Sequence, residues 1–293
     1  MSKPLIVIAG RDGQLGQELV QASVAYDNAF IFLFAGRYEL DLSKSETITA
    51  FFEKYQPAYF INCAAYTAVD KAEIEQEAAY TINAESVGMI AQQCHIYGCI
   101  LVTISTDYVF DGKGTRPYQI NDATDPVNYY GFTKWLGEKL ALENNNKTIV
   151  IRTSWLYSTS GNNFVKTILR LMKEKTELTV VSDQIGCPTY SADLADAILR
   201  IITSLEKGNN HYGIYHYSNS GAISWFDFAV AIGHFAKLSC KVVPVSTSTY
   251  PTAAKRPVYA VMDTSQIAKT YGIDIKDWKE SLEICIAKMN HTK

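Results

Sequence analysis

The first half of the chain alternates short apolar runs with longer amphipathic stretches. Leu5–Ala9 is apolar without interruption, which is typical of a strand covered on both faces of a sheet. Residues 30–35 are expected to form a second buried strand, and similar runs predict strands at 59–64, 100–104 and 148–152. This rhythm predicts an α/β fold with a Rossmann-type doubly wound parallel sheet.

The segments between these strands have apolar residues at helical spacing. Before the third strand such a stripe is formed by Ile48, Phe51, Phe52 and Tyr55. Ser43 with Glu46 three residues later has the pattern of a capping box, which starts a helix. A long helix is expected over 72–97, ended by Gly98, and another around 131–143.

The second half has longer polar loops and a looser rhythm. Helices are predicted at 163–174, 191–206, 225–237 and 278–289, with strands near 178–182 and 213–217. We expect residues 1–155 to form a nucleotide-binding Rossmann domain and 156–293 mainly a smaller α/β substrate-binding domain. Part of 185–225 is expected to rejoin the first domain.

Composition narrows the class of protein. The 293 residues are 47% hydrophobic and 19% charged, with a net charge of −3 and scattered Lys and Arg, which argues against nucleic acid as a partner. Apolar runs are shorter than the roughly 20 residues that span a bilayer, so no membrane association is expected. The six cysteines lack metal-ligand spacing. We therefore expect a cytoplasmic protein with no metal site.

A glycine-rich turn follows the first strand. Gly10, Gly13 and Gly16 have the spacing of short-chain dehydrogenases, and Gln14 and Leu15 lie between them. Glycines let the backbone approach a pyrophosphate, whose charge the following helix N-terminus stabilises. The turn predicts a dinucleotide site.

The end of the second strand bears on the choice of cofactor. NAD-binding sheets usually carry an acid there, whereas this chain has Gly36 and Arg37, with no acid until Glu39. Arg37, aided by Arg11, could pair with a 2′-phosphate. NADPH is therefore favoured and NADH remains open. The alternative is that Arg37 only decorates a surface loop.

Tyr130 and Lys134 lie one helical turn apart. A nearby ammonium lowers the pKa of a phenol and makes it a better proton shuttle. Thr106 follows the fourth strand, where a hydroxyl could bond a substrate carbonyl. The alternative is that Thr106 is a turn residue and Tyr130 a helix-surface residue.

The third strand is followed by small and hydroxyl-bearing side chains at Ala65, Tyr66 and Thr67. These would leave room for the cofactor, and Thr67 could bond a phosphate or ribose. The alternative is that small residues here only ease packing beneath a helix.

Together these residues carry a resemblance over nearly the whole length. The chain resembles the dTDP-4-dehydrorhamnose reductase family of extended short-chain dehydrogenases. The matching segments are 13–16, 64–73, 105–112, 130–134, 152–155, 161–164, 183–189 and 256–257.

The resemblance implies an activity and a set of site residues. Hydride would pass from NADPH to the C4 keto group of a dTDP-linked 6-deoxy-4-keto sugar, giving dTDP-L-rhamnose. Tyr130 would be the acid, Lys134 its partner, and Thr106 would tune Tyr130. The implied cofactor contacts are Gly13, Gln14, Leu15, Asp41, Leu42, Ala65, Tyr66 and Thr67. The implied substrate contacts are Thr106, Asp107, Trp155, Asn163, Gln184 and Arg256.

Several alternatives stay open at this point. Some members of the family form dimers with Mg²⁺ held by carboxylates; Glu18 matches one such position, although no complete ligand set is visible. A homodimer is left open. A 4-epimerase or 4,6-dehydratase would share the tyrosine, lysine and glycine turn, and a regulatory NADP-binding subunit would share the fold.

Overall fold

Six parallel strands form the central sheet of the computed structural model, which describes residues 3–291. The strands in chain order are β1 (Leu5–Ala9), β2 (Ile31–Ala35), β3 (Tyr59–Asn62), β4 (Ile100–Thr106), β5 (Thr148–Thr153), β6 (Leu156–Tyr157), β7 (Glu177–Val181), β8 (Ile185–Gly186), β9 (Thr189–Tyr190), β10 (Gly213–His216), β11 (Ile223–Ser224) and β12 (Lys241–Val245). The central sheet has the order β10-β5-β4-β3-β1-β2. The predicted parallel sheet is confirmed.

Helices cover both faces of this sheet. They are α1 (Gln14–Ser23), α2 (Ser45–Tyr55), α3 (Val69–Ala72), α4 (Gln76–Tyr80), α5 (Ser86–Ile96), α6 (Tyr129–Asn144), α7 (Phe164–Glu174), α8 (Ser191–Glu206), α9 (Trp225–Phe235), α10 (Ser265–Tyr271) and α11 (Trp278–His291). Successive residues of β1 enter opposite cores: Ile8 shares one core with Leu19 and Leu194, and Val7 shares the other with Phe52. The sheet is therefore doubly wound.

Two expectations about the region after β1 are wrong. β2 is the edge strand of the sheet, and Ile31 is 51% exposed, so this strand is not buried on both faces. The Ser43 hydroxyl donates to Asp41 Oδ1 (2.7 Å), and α2 begins at Ser45 with Lys44 as its N-cap. Ser43 therefore closes a turn with Asp41 and does not form the expected capping box.

The expected long helix over 72–97 is interrupted. It consists of α3, α4, a π-helical turn at Thr81–Glu85 and α5, and Gly98 ends it with φ of 68°. The π turn places Asn83 against α6, where a Cβ on Gly137 would lie 2.0 Å from the Asn83 carbonyl oxygen. Such π turns are frequent at functional sites. Here the turn aims the Asn83 side chain at the loop after β3.

The second half contains the four predicted helices and a separate core around Tyr157 and Phe228. β10 joins the central sheet beside β5, whereas β7 pairs with β12. The sequence patterns did not predict β12 and α10. Along residues 3–291, none of the helices is long and apolar enough to cross a membrane.

Candidate active site

A cleft of 1380 Å³ opens along the carboxyl ends of the central strands. It brings together most residues predicted from the sequence. Those that line it are Gly10, Gly13, Gln14, Leu15, Arg37, Asp41, Leu42, Ala65, Tyr66, Thr67, Thr106, Asp107, Tyr130, Lys134 and Trp155. Sequence reasoning missed further lining residues, among them Ser105, Tyr108, Ser154, Leu156, Asn162 and Trp225.

The glycine turn forms one end of the cleft. Gly10 has φ of 84°, and a Cβ there would lie 2.7 Å from the Ala64 nitrogen. A Cβ on Gly16 would lie 2.2 Å from the Gly10 carbonyl oxygen, so Gly16 supports the turn from inside α1. Gly13 is the N-cap of α1 and has no side chain to bond the first helical N–H groups. These donors therefore fit a diphosphate.

The end of β2 places charged groups close together. The Glu39 carboxylate accepts the Gly36 N–H (3.0 Å) and pairs with Arg11 (3.0 Å). The Arg37 side chain is 86% exposed and lies 3.9 Å from Asp41. The Glu39 carboxylate therefore lies at the end of β2, where the sequence pattern had indicated only the positive side chains of Arg37 and Arg11.

The loop after β3 is held by Asn83. Its side-chain amide accepts from the Tyr66 nitrogen (2.9 Å) and donates to the Tyr66 carbonyl (3.0 Å). The Tyr66 hydroxyl donates to Glu75. This loop therefore has a fixed backbone conformation where it lines the cleft.

The start of α6 is fixed against the exit of β4. Asn128 caps the helix by accepting from the Gly131 nitrogen (2.8 Å), and Glu73 accepts from the Tyr129 nitrogen (2.9 Å). A Cβ on Gly131 would lie 2.2 Å from the Tyr108 carbonyl oxygen. Only glycine lets the helix approach this closely, and the approach places Tyr130 in the cleft.

Near the start of this helix, Lys134 is buried and Tyr130 is half-buried. Burial raises the pKa of Tyr130 to about 12, while a hydrogen bond with Thr106 opposes the rise. Burial lowers the pKa of Lys134 to about 8. The Lys134 ammonium donates to the Ile104 carbonyl (2.6 Å). The expected lowering of the Tyr130 pKa by Lys134 is wrong. The pKa is raised, and Thr106 is the group that opposes the rise.

Thr106 and Asp107 form a buried pair beside Tyr130. The Thr106 hydroxyl donates to Asp107 Oδ1 (2.9 Å), and the Tyr108 nitrogen donates to Thr106 Oγ1 (3.3 Å). Asp107 Oδ2 is buried without a hydrogen-bond partner among the described residues. Burial raises the pKa of Asp107 to about 7, so this carboxyl changes protonation near neutral pH.

Two tryptophans form the opposite wall. The Trp155 ring stacks on Trp225 with centroids 3.5 Å apart and an interplanar angle of 11°. Trp155 has φ of 46°, which is unusual for a residue with a side chain. A Cβ on Gly186 would lie 2.6 Å from the Trp155 ring. The indole is therefore held between a second aromatic ring and a glycine.

Three predicted substrate contacts lie outside the cleft lining and bind other side chains. Asn163 caps α7 at the Lys166 nitrogen (3.0 Å) and donates to Gln14 Oε1 (2.9 Å). Gln184 donates to Thr247 (3.0 Å). The third, Arg256, pairs with Asp70 (2.6 Å). Substrate contact by Asn163, Gln184 and Arg256 stays a prediction.

The surroundings of Glu18 do not fit a divalent cation. Glu18 is buried near Asp193. Asp193 Oδ1 accepts from Lys276 (2.7 Å), and its Oδ2 accepts from Asn219 (2.9 Å) and Ser281. Within residues 3–291 there is no cluster of three or more His, Cys, Asp or Glu that could hold a metal.

Comparisons with known proteins show the family of this chain. The family model of the RmlD substrate binding domain matches residues 4–291. A dTDP-4-dehydrorhamnose reductase from Aggregatibacter actinomycetemcomitans is 39% identical over 286 residues, which cover 95% of this chain and 97% of the relative.

Two solved structures are similar over the whole fold. The dTDP-4-dehydrorhamnose reductase of Clostridium acetobutylicum has 38% identity and a TM-score of 0.93, covering 98% of this chain and 99% of that one. The Bacillus anthracis dTDP-4-dehydrorhamnose reductase, in complex with NADP, has the same identity and TM-score and covers 98% and 100%. The chain belongs to the dTDP-4-dehydrorhamnose reductase family.

Proposed function

We propose that this protein is an NADPH-dependent reductase. It transfers hydride to the C4 keto group of a dTDP-linked 6-deoxy-4-keto sugar and gives dTDP-L-rhamnose. The observation that carries the proposal is the placement of Tyr130 beside Thr106, in the cleft that begins at the glycine turn. A proton donor and a dinucleotide cradle thus share one cleft.

The cofactor site uses the backbone of the glycine turn. The N–H groups at the start of α1 would bind the diphosphate, with Gln14 and Leu15 beside it. Asp41 and Leu42 would border the adenine, and the loop 65–67 would follow the rest of the dinucleotide. NADPH supplies the hydride when bound.

The proton comes from Tyr130. Because burial keeps its pKa at about 12, the phenol retains its proton at neutral pH and can give it to the alkoxide formed at C4. Thr106 would hold the same oxygen and orient the phenol. Lys134, anchored to the Ile104 carbonyl, would hold the nicotinamide ribose.

The sugar would occupy the space between Asp107 and Trp155. We assign the nucleotide-binding domain to 1–155, and the substrate-binding domain mainly to 156–293. The pairing of β10 with β5 supports the return of part of 185–225 to the first domain. Asn163, Gln184 and Arg256 would act from the second domain.

The test mixes the protein with NADPH and dTDP-4-keto-6-deoxy-L-mannose and follows the absorbance of the reduced nicotinamide. Tyr130→Phe removes the proton donor, and we expect turnover to fall by roughly 10²–10⁴-fold. NADPH binding, measured by fluorescence, should persist. Wild-type turnover in this variant would refute the assigned role.

Tyr129→Phe is the matched control, because it removes the same hydroxyl one residue before the proposed acid. The Tyr129 ring packs on Phe132. It should retain turnover. Net NADPH consumption separates a reductase from an epimerase or dehydratase, which regenerate their cofactor. NADPH binding with no turnover of the keto sugar would instead favour a regulatory subunit.

We also propose a homodimer in the cytoplasm. α1 and α8 lie side by side on one face of the sheet, and Val20 of α1 and Val24 directly after it are exposed. Light scattering should then give twice the mass of the 32.7 kDa chain. The six free cysteines and the use of NADPH support a reducing compartment.

A further inference from the structure

Asp107 is a buried carboxyl that uses one of its two oxygens. It lies directly after β4 in the wall of the cleft and is 2% exposed. Its Oδ1 accepts from the Thr106 hydroxyl (2.9 Å), whereas its Oδ2 is buried without a hydrogen-bond partner among the described residues. A buried carboxylate needs a cation or several donors to replace its lost hydration. This site therefore favours the neutral acid.

The titratable groups that face Asp107 carry no positive charge. In the part of the chain that the structure describes, they are Tyr108 beside it, Tyr130 at the start of α6 and Cys187 between β8 and β9. All three are neutral at neutral pH, because burial raises the pKa of Tyr108, that of Tyr130 to about 12 and that of Cys187 to about 11. Since burial raises the pKa of Asp107 to about 7, its neutral and ionised forms coexist near neutral pH.

The Thr106 hydroxyl connects Asp107 to the proposed acid. A hydroxyl has one proton to donate and two lone pairs that accept. In the structure this proton goes to Asp107 Oδ1, and one lone pair accepts from the Tyr108 nitrogen (3.3 Å). The second lone pair is left for Tyr130, which forms a hydrogen bond with Thr106. In this arrangement Thr106 can only accept from the phenol, which turns the phenol proton away from the substrate.

Protonation of Asp107 reverses the direction of these hydrogen bonds. The neutral acid donates its own proton to Thr106 Oγ1, which also accepts from the Tyr108 nitrogen and so has both lone pairs occupied. The Thr106 proton is then left for the oxygens in the cleft, which are those of Tyr130 and of the C4 keto group. A donor in this position stabilises the negative charge that develops on the C4 oxygen.

We propose that Asp107 is a positioning residue that acts through Thr106: the neutral acid directs the Thr106 hydroxyl proton into the cleft, and the carboxylate withdraws it. The C4 oxygen still takes its proton from Tyr130, and Asp107 keeps its own. Turnover therefore falls as the pH rises and Asp107 ionises. This inference rests on the proposed function, since it assumes that the C4 keto group lies beside Tyr130.

The test measures kcat with NADPH and dTDP-4-keto-6-deoxy-L-mannose. The amide of Asp107→Asn keeps the shape of the side chain and can donate to Thr106 at every pH. We expect the ratio of its kcat to the wild-type kcat to rise about tenfold between about pH 6 and about pH 8, because the wild-type carboxyl ionises in this range. Lys134, with a pKa of about 8, is present in both proteins, so its ionisation cancels in the ratio. Asp125→Asn makes the same change on an exposed loop, and its ratio should stay constant.

Substitutions at Thr106 test the route without changing Asp107. Thr106→Ser keeps the hydroxyl and should keep the wild-type dependence on pH. Thr106→Val removes the hydroxyl, so turnover should drop by roughly 10–100-fold. Adding Asp107→Asn to Thr106→Val should then leave the pH profile unchanged, because the group that connects Asp107 to the cleft is gone.

A constant ratio between folded Asp107→Asn and the wild type would overturn the inference. A tenfold rise that persists in the Thr106→Val background would also contradict it, because Asp107 would then act by its charge alone. The infrared band of a protonated carboxyl, lost in Asp107→Asn, should fade in the wild type as the pH rises through about 7, and its absence at about pH 6 would count against the neutral acid. If the wild type consumes no NADPH at any pH, the proposed function itself fails and the inference with it.

Discussion

The two ends of the cleft are constructed differently. At the nucleotide end, the glycine turn is one continuous segment, residues 10–16, and it presents the backbone N–H groups at the start of α1. At the sugar end, Trp155 and Trp225 meet although they lie far apart in the chain. The first end depends on local conformation, whereas the second depends on how distant segments pack.

This difference determines how each end responds to change. A turn made of backbone has little freedom to adjust, because a new Cβ meets fixed atoms. A wall of stacked side chains can repack around a substitution. We therefore expect substitutions to have steep effects at the nucleotide end and graded effects at the sugar end.

Gly16→Ala should have the largest effect. Its Cβ would lie 2.2 Å from the Gly10 carbonyl and 2.7 Å from Arg11 Cα, so the turn must shift. We expect the Kd for NADPH to rise by about 100-fold, a loss of about 2.7 kcal/mol. Gly233→Ala is the control, since its Cβ meets only the flexible end of Met172 closely. Unchanged affinity in Gly16→Ala would refute the rigid-turn account.

Trp225→Ala should have an intermediate effect. It removes the ring behind Trp155, and an aromatic pair contributes about 0.5–1.5 kcal/mol beyond its buried area. We expect KM for the sugar nucleotide to rise roughly tenfold while the Kd for NADPH stays the same. Trp225→Phe should recover most of the loss. A parallel loss of NADPH affinity would show that the two ends are not independent.

Asp107→Asn should have the smallest effect, seen in stability against pH. The pKa of Asp107 is about 7 in the folded protein and near 4 in an unfolded chain. Between these values the folded state binds more protons, so wild-type stability falls as pH rises through this window. Asp107→Asn has no carboxyl at this position, so the variant does not lose stability in this way. Its Tm should exceed that of the wild type by roughly 5 °C at pH 8 and by less at pH 5.

Local patterns predicted the elements whose structure depends on neighbouring residues. β1, α6 and the glycine turn have their patterns within a few positions, and all three were predicted. The prediction of a capping box at Ser43 failed because the Ser43 hydroxyl instead donates to Asp41, two residues earlier. The prediction that β2 is buried failed because an apolar run in the sequence does not show which strand lies at the edge of a sheet.

The remaining errors concern contacts between distant segments. Trp225 carries a visible helix-start signal, since Ser224 and Asp227 form a capping box. Its stacking on Trp155 depends on tertiary packing and left no local signal. The Tyr130 pKa was expected to fall because Lys134 is one turn away. Spacing does not show that desolvation raises this pKa, or that the buried Lys134 ammonium binds a strand carbonyl.

The left-handed backbone at Trp155 has a consequence for the stability of this protein. A left-handed conformation at a residue with a side chain costs about 1 kcal/mol or more. A glycine at that position would relieve this cost but would remove the indole from the cleft. The same change would also remove the stacking of this ring on Trp225, so that contact offsets part of the backbone cost in the folded protein.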